Sequence, residues 1–343
     1  MVTSGFDEMW GHVAALPGQL AASFGAGADG VPARAARRVR VCGMGGSAAA
    51  AELVGSVVDR DRIAVEVRRD YGAGPDPGPG AVFVFSSYSG HTEETLSAWE
   101  DAERRFPDRP RVVVSSGGRL TELAAAAGVP SLALPAGLPP RASLGHGIGV
   151  FCALLARLGE PGPSDQVGAA IEVLEAGNQR WGLGGPGSDS ALEELAEELD
   201  GRWPILYSGC RLAHAVAGRW RAQLNENAKL LVSTAQLPEL DHNEVVGWGR
   251  STVAREEARV VALRDSSESV RVTRRFEATR EVLGLGPGKW FERSSPGKIP
   301  PLARLAGLVQ EGDVLSCLLA RRGGLDPVPV EVIDRIKARL SEG

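Results

Sequence analysis

The chain has 343 residues, enough for two domains of ordinary size, each with its own core. It is 43% hydrophobic and 24% charged, which is the composition of a globular protein and excludes a disordered one. A net charge of −5 gives no electrostatic reason to expect nucleic acid or an anionic membrane as partner.

The apolar runs are too short to span a bilayer, Ile148 to Leu158 being among the longest. The N-terminus carries Asp7 and Glu8 and has no basic segment of the kind that opens a signal peptide. Cys42, Cys152, Cys210 and Cys317 lie far apart, without a CxxC or a nearby histidine pair. They read as reduced, buried thiols of a cytoplasmic protein, with no metal-ligand spacing.

Along the chain, a helix is expected around Phe6–Phe24. Short β-rich runs then alternate with alanine- and leucine-rich stretches, the pattern of parallel βαβ units. Strands are predicted over Val39–Cys42, Ile63–Arg68, Ala81–Phe85, Arg111–Ser115 and Ser131–Leu134, with helices over Ser47–Val58, Thr92–Arg105 and Leu120–Ala127 between them. A helix from about Ser143 to Leu158 closes this unit, residues 1–160. Two Gly/Pro-rich stretches, 159–164 and 182–188, bracket one helix and mark 161–190 as a linker.

In residues 191–343 a helix is predicted over Ala191–Leu199, then a strand over Pro204–Ser208 and a helix running to about Glu226. Further strands are expected at Leu230–Val232, Arg259–Leu263 and Lys289–Glu292, and a last helix, Val330–Leu340, follows the break Asp326-Pro327-Val328-Pro329. Strand, glycine turn and alanine-bearing helix occur at Val39–Ala51 and again at Ile205–Ala217, an echo that points to two copies of one α/β fold.

Two turns carry the chemistry of the first half. Val39–Cys42 runs into Gly43-Met44-Gly45-Gly46-Ser47, and Ala81–Phe85 runs into Ser86-Ser87-Tyr88-Ser89-Gly90-His91-Thr92, each followed by a helix. Helix N-termini offer unpaired N–H groups and partial positive charge, so hydroxyls and glycines gathered there can seat an anion. Neither turn holds a lysine or arginine, and such neutral donors suit one phosphate on a sugar better than a triphosphate. Gly43-x-Gly45-x-x-Ala48 also fits a loose dinucleotide fingerprint, with Asp70 about where a ribose-binding acid would stand. Arg68, Arg69 and the second serine-rich turn count against it. Simple helix capping is the plainer account of Thr92 taken by itself.

Four other features are bland one at a time. Asn225-Glu226-Asn227-Ala228-Lys229 places a carboxylate between amides at a helix end, where pairing with Lys229 or Arg221 is the ordinary expectation. Pro238–Glu244 is a polar turn with His242, one of five histidines. Arg141 follows Pro139-Pro140 at the start of a helix, and Lys337 sits on the amphipathic C-terminal helix.

The order GMGGS, SYSGxT, PRA, NENAK, PELxHNE and DP before a terminal helix resembles the bifunctional phosphoglucose/phosphomannose isomerase family of the sugar isomerase (SIS) superfamily. The match covers about Val39 to Leu340, and its most specific parts are Asn225–Lys229 and Pro238–Glu244. The resemblance implies an α/β protein of two SIS-type doubly wound parallel-sheet domains, each a three-layer αβα unit. It also implies a homodimer that interconverts hexose 6-phosphates without metal or cofactor, glucose 6-phosphate with fructose 6-phosphate first and mannose 6-phosphate second.

By the same resemblance Gly46, Ser47, Ser87, Ser89 and Thr92 hold the phosphate. Glu226 is the base that moves a proton between C1 and C2, and Arg141 steadies the cis-enediolate. His242, reaching in from the partner subunit, helps open the sugar ring together with Lys337. The chemistry agrees, because a weakly acidic α-hydroxy carbonyl proton needs a carboxylate base and a cation at the developing oxyanion. Three places depart from the family pattern. His91 replaces a usual asparagine, Ala48 a common glycine, and Val328 and Val330 occupy the stretch where a threonine is expected. Two other readings fit a SIS protein, a non-catalytic phosphosugar sensor and an isomerase of another phosphosugar.

Overall fold

Val39, Val41 and Cys42 are almost wholly buried in a strand with a parallel neighbour on each side, as a continuous apolar run requires. The structure, a computed structural model, describes residues 3–341 except 186, 188 and 296. Pro186 and Ser188, part of the expected linker, lie outside the described residues. The first sheet contains β1 (Arg38–Gly43), β2 (Ala64–Arg68), β3 (Ala81–Ser86), β4 (Arg111–Ser115) and β5 (Ser131–Ala133). Its order is β2-β1-β3-β4-β5, and all its pairs are parallel. Around it stand α1 (Thr3–Ala14), α2 (Leu16–Gly25), α3 (Gly45–Ser56), α4 (Glu93–Arg105), α5 (Gly118–Ala126) and α6 (Leu144–Arg157), followed by α7 (Val167–Trp181).

The second sheet contains β6 (Trp203–Ser208), β7 (Ser233–Gln236), β8 (Ala258–Arg264) and β9 (Trp290–Ser294), again parallel, in the order β7-β6-β8-β9. Its helices are α8 (Ser190–Leu199), α9 (Arg211–Glu226), α10 (Glu244–Trp248), α11 (Thr252–Glu257), α12 (Val270–Leu283), α13 (Pro301–Arg322) and α14 (Glu331–Ser341). When β6 is laid on β1, the strands β7, β8 and β9 fall on β2, β3 and β4. The sequence echo is therefore an echo of topology. Both sheets are doubly wound, and their helical layers share one hydrophobic core.

Two expectations need correction, and the helices α10 to α13 have no counterpart among the expected elements. The helix expected over Phe6–Phe24 is two helices, broken at Ala15, with Pro17 in the first turn of α2, where its missing N–H costs nothing. The strand expected at Leu230–Val232 forms later, as β7. Lys229 turns the chain with a φ of 54°, and Val232 N donates to Asn225 Oδ1 at 3.1 Å instead of to a strand. Finally, α13 was not anticipated. It is buried on nearly all sides from Leu302 to Ala320, so it lacks the one-sided periodicity by which a surface helix is recognised.

That buried helix joins the halves of the molecule, packing on α1, α7, α8 and α9. A Cβ at Gly312 would stand 2.3 Å from the Trp220 ring, so glycine is needed where α13 meets α9. Beside it Asp313 receives Nε and Nη2 of Arg219 at 2.9 and 2.8 Å, both side chains 3% exposed. At the other extreme, α14 is exposed throughout residues 331–340, with Val332, Ile336 and Leu340 along one stripe. Asp313→Ala is expected to cost about 3–5 kcal/mol, because it strands a buried guanidinium. Denaturant unfolding of the variant measures this directly.

Candidate active site

The first sheet reverses its winding between β1 and β3, so the turns leaving the C-terminal ends of these strands lie side by side. Hydrogen bonds join them: Ser86 Oγ donates to Ser47 O at 3.3 Å, and Tyr88 N donates to Ser47 Oγ at 3.0 Å. Ser87 Oγ lies 2.8 Å from Thr92 Oγ1 and accepts from Gly90 N at 3.1 Å, while Ser89 Oγ accepts from His91 N at 3.2 Å. Thr92 is the N-cap residue of α4, yet its hydroxyl bonds Ser87 and caps no backbone N–H. Ser47 and Ser89 use their oxygens as acceptors and keep their own protons to donate. Together with the unpaired first amides of α3 and α4, these protons can be offered to one anionic group.

Arg141 is carried to this place by a 3-10 turn, Pro140–Ser143. A Cβ at Gly46 would lie 2.9 Å from the carbonyl oxygen of Pro140, so the missing side chain lets that turn rest against the start of α3. The guanidinium is almost fully buried, and three of its five N–H donors have hydrogen-bond acceptors. Nε donates to Asn227 Oδ1 at 2.8 Å, and Nη2 donates to the carbonyls of Pro327 and Val328, each at 2.7 Å. Nη1 faces Glu226, 3.6 Å from Oε2. Burial pushes the Arg141 pKa below its ordinary value, and the Glu226 carboxylate opposes that shift. Arginine stays a cation through shifts of this kind.

Behind Arg141 stands a fully buried relay. Asn227 Nδ2 donates to Ser316 Oγ at 2.9 Å, and Ser316 Oγ donates to Asp313 O at 2.7 Å. Arg219, paired to the Asp313 carboxylate, also donates from Nη2 to the carbonyl of Arg141 at 3.0 Å. Arg141 is thus fixed through its side chain and its backbone by residues of α9 and α13. Sequence reasoning had missed Arg219, Asp313 and Ser316. Their signal was a charge and a hydroxyl three residues apart inside an apolar run, with a lone arginine on the buried face of α9.

Glu226 is the last residue of α9, with its side chain 30% exposed. Its carboxylate pairs with Arg141, so neither Arg221 nor Lys229 takes the role that a simple helix-end pair would give them. Lys229 Nζ donates instead to the carbonyls of Glu226 and Pro329, at 2.6 and 2.7 Å. Burial and the neighbouring Arg141 lower its pKa.

The chain therefore brings together Gly46, Ser47, Ser87, Ser89, Thr92, Arg141 and Glu226. His242 and Lys337 stand apart. His242 is exposed in the turn Glu239–His242 after β7, and Lys337 is exposed on α14. Among the described residues no hydrogen bond or ion pair joins either one to Arg141, Glu226 or the serine turns. Nor do any three His, Cys, Asp or Glu side chains among them form a group able to hold a metal ion, and no helix is long and apolar enough to cross a membrane.

Residues 189–340 match the family model described as the bacterial phospho-glucose isomerase C-terminal SIS domain. A bifunctional phosphoglucose/phosphomannose isomerase of Caldicellulosiruptor bescii is 31% identical over 339 residues, which is 97% of this chain and 99% of that protein. This chain belongs to the bifunctional phosphoglucose/phosphomannose isomerase family. A second family member, from Aquifex aeolicus, is 33% identical over 306 residues, 88% of this chain and 89% of that one. The crystal structure of a hypothetical protein from Thermus thermophilus shares the fold at 15% identity. Its TM-score is 0.68, over 99% of this chain and 92% of that one.

Against the family pattern, the valine stretch at 328–330 meets the site through its backbone, because Arg141 and Lys229 hold the carbonyls of 327–329. Replacing Asn227 with Ala leaves Arg141 Nε without an acceptor in a dry interior, while the Ser316 hydroxyl loses one of its two bonds and keeps the one to the Asp313 carbonyl. A loss of about 1–3 kcal/mol in unfolding free energy is expected, and a urea titration would register it.

Proposed function

We propose that this chain is an aldose–ketose isomerase of hexose 6-phosphates, converting glucose 6-phosphate to fructose 6-phosphate and accepting mannose 6-phosphate as the epimer. The observation that carries the reading is the pair formed by Glu226 and the buried Arg141, 3.6 Å apart beside the serine turns. In this scheme the substrate phosphate rests on Gly46, Ser47, Ser87, Ser89 and Thr92. Glu226 takes the proton from the carbon next to the carbonyl and returns it to the neighbouring carbon. Arg141 Nη1, the guanidinium nitrogen turned toward Glu226, donates to the oxyanion of the cis-enediolate. No external electron carrier enters, since one carbon is oxidised as its neighbour is reduced.

His242 belongs to the same proposal as a group supplied by the other subunit of a homodimer, with Lys337 beside it for ring opening. Its exposure, and its separation from Glu226 within the subunit, support a role across an interface. A cytoplasmic setting, supported by four free cysteines, completes the reading. Its partner is a sugar phosphate, with no nucleic acid.

Glu226→Gln should lower turnover by roughly 10²–10⁴-fold, since proton transfer is felt in the transition state. Substrate affinity should be largely preserved, and a coupled assay of the three hexose 6-phosphates reads both quantities. Near-normal turnover would remove Glu226 as the base, and wild-type protein that binds but never turns over would be a sensor. The dimer is tested by mixing inactive Glu226→Gln and His242→Ala subunits. Hybrid dimers pair one intact Glu226 with one intact His242, so activity should reappear on mixing. No recovery would place His242 outside the partner's site.

A further inference from the structure

A cavity of about 420 Å³ lies between the halves of the molecule, away from the serine turns. One wall comes from α3 and β2, with Glu52, Ser56, Val65 and Val67. The other comes from the turn after β6 and the first turns of α9, with Arg211 and His214, and Gln236 closes the end. Its charge is lopsided: Arg60, Arg69 and Arg211 face it, against the single carboxylate of Glu52.

Glu52 is already engaged by Arg69 at 2.5 Å. Arg211 is held in place by a hydrogen bond from Nη2 to the carbonyl of Gly55 at 2.5 Å, which ties α9 to α3. No carboxylate among the described residues pairs with Arg60 or Arg211. Burial lowers the Arg211 pKa, and the repulsion from Arg60 adds to that shift. Two guanidinium groups on the rim of one cavity, Arg211 held and Arg60 free to turn, with no carboxylate among the described residues to answer them, are a recognition element for phosphate. Ser56, Gln236 and Glu52 add donors and acceptors suited to hydroxyl groups. The volume falls in the range of small-molecule pockets and exceeds the needs of a bare ion.

We propose that this cavity is a second ligand site, which binds a small hydroxyl-bearing phosphomonoester between Arg60 and Arg211. The ligand bridges α3 and α9, the helices whose other ends carry Ser47 and Glu226. This inference does not depend on the chemistry proposed for the serine turns.

Equilibrium dialysis with radiolabelled inorganic phosphate tests it, with Ser89→Ala used to weaken the serine-turn seat. In that background phosphate binding should persist, and adding Arg60→Glu should weaken the remaining binding roughly tenfold or more, the worth of a charged hydrogen bond. Arg60 is exposed and makes no hydrogen bond among the described residues, so its replacement spares the fold. Arg211→Gln is the second variant and should act in the same direction. The proposal is overturned if the Ser89→Ala protein binds no phosphate, or if Arg60→Glu and Arg211→Gln leave its isotherm unchanged. Failure of the serine seat would appear separately, as a Ser89→Ala isotherm identical to that of the wild type.

Discussion

Taking a guanidinium out of water obliges the protein to answer its N–H groups, and much of this structure is arranged around that obligation at Arg141. Asn227 receives Nε, two carbonyls of the C-terminal segment receive Nη2, and Arg219 holds the Arg141 carbonyl from behind. Arg219 and Asn227 come from α9 and its C-cap and the two carbonyls from the segment before α14, so Arg141 is correctly placed only when both stretches are in position. The cost of burying the Arg219–Asp313 pair is part of the same arrangement. An apolar substitute could be as stable, but it could not hold the carbonyl of Arg141. The polar interior is better understood as positioning than as a source of stability.

The single direction left open is the one that matters chemically. Nη1 points to Glu226, so carboxylate and guanidinium share a space that two adjacent oxygens of a small molecule could enter. The serine turns sit on the same side of the first sheet because a doubly wound sheet reverses between β1 and β3. The serine turns and the Glu226–Arg141 pair are thus set by different parts of the chain, one by the topology of the first sheet and the other by the end of α9 and the turn at Pro140.

What the sequence revealed follows from how local each signal is. β1 and β3 are apolar runs ending in glycine and serine, and both strands and both turns are found where the pattern predicts them. Val260 and Val261 mark β8 equally plainly. The edge strand β7 reads Ser-Thr-Ala-Gln and was misplaced by a neighbouring apolar run, because an exposed edge needs little hydrophobicity. α13 escaped notice for the opposite reason, being apolar on all faces while carrying Arg304, Gln310, Glu311 and Asp313 in partnerships that only the tertiary structure reveals. Of the site, Glu226 and Arg141 were legible through their motifs. That they meet, 85 positions apart in sequence, is a long-range fact that no window of sequence contains.

The segment leading into α14 has a thermodynamic consequence of its own. Its carbonyls grip Arg141 and Lys229 from one side, while a substrate would approach Arg141 from the Nη1 side. Anything that steadies the guanidinium from one side reduces the entropy left to be lost when it is held from the other. By reciprocity of linked equilibria, a ligand held by Arg141 on the Nη1 side would order residues 327–329 by the same factor by which their ordering raised its affinity.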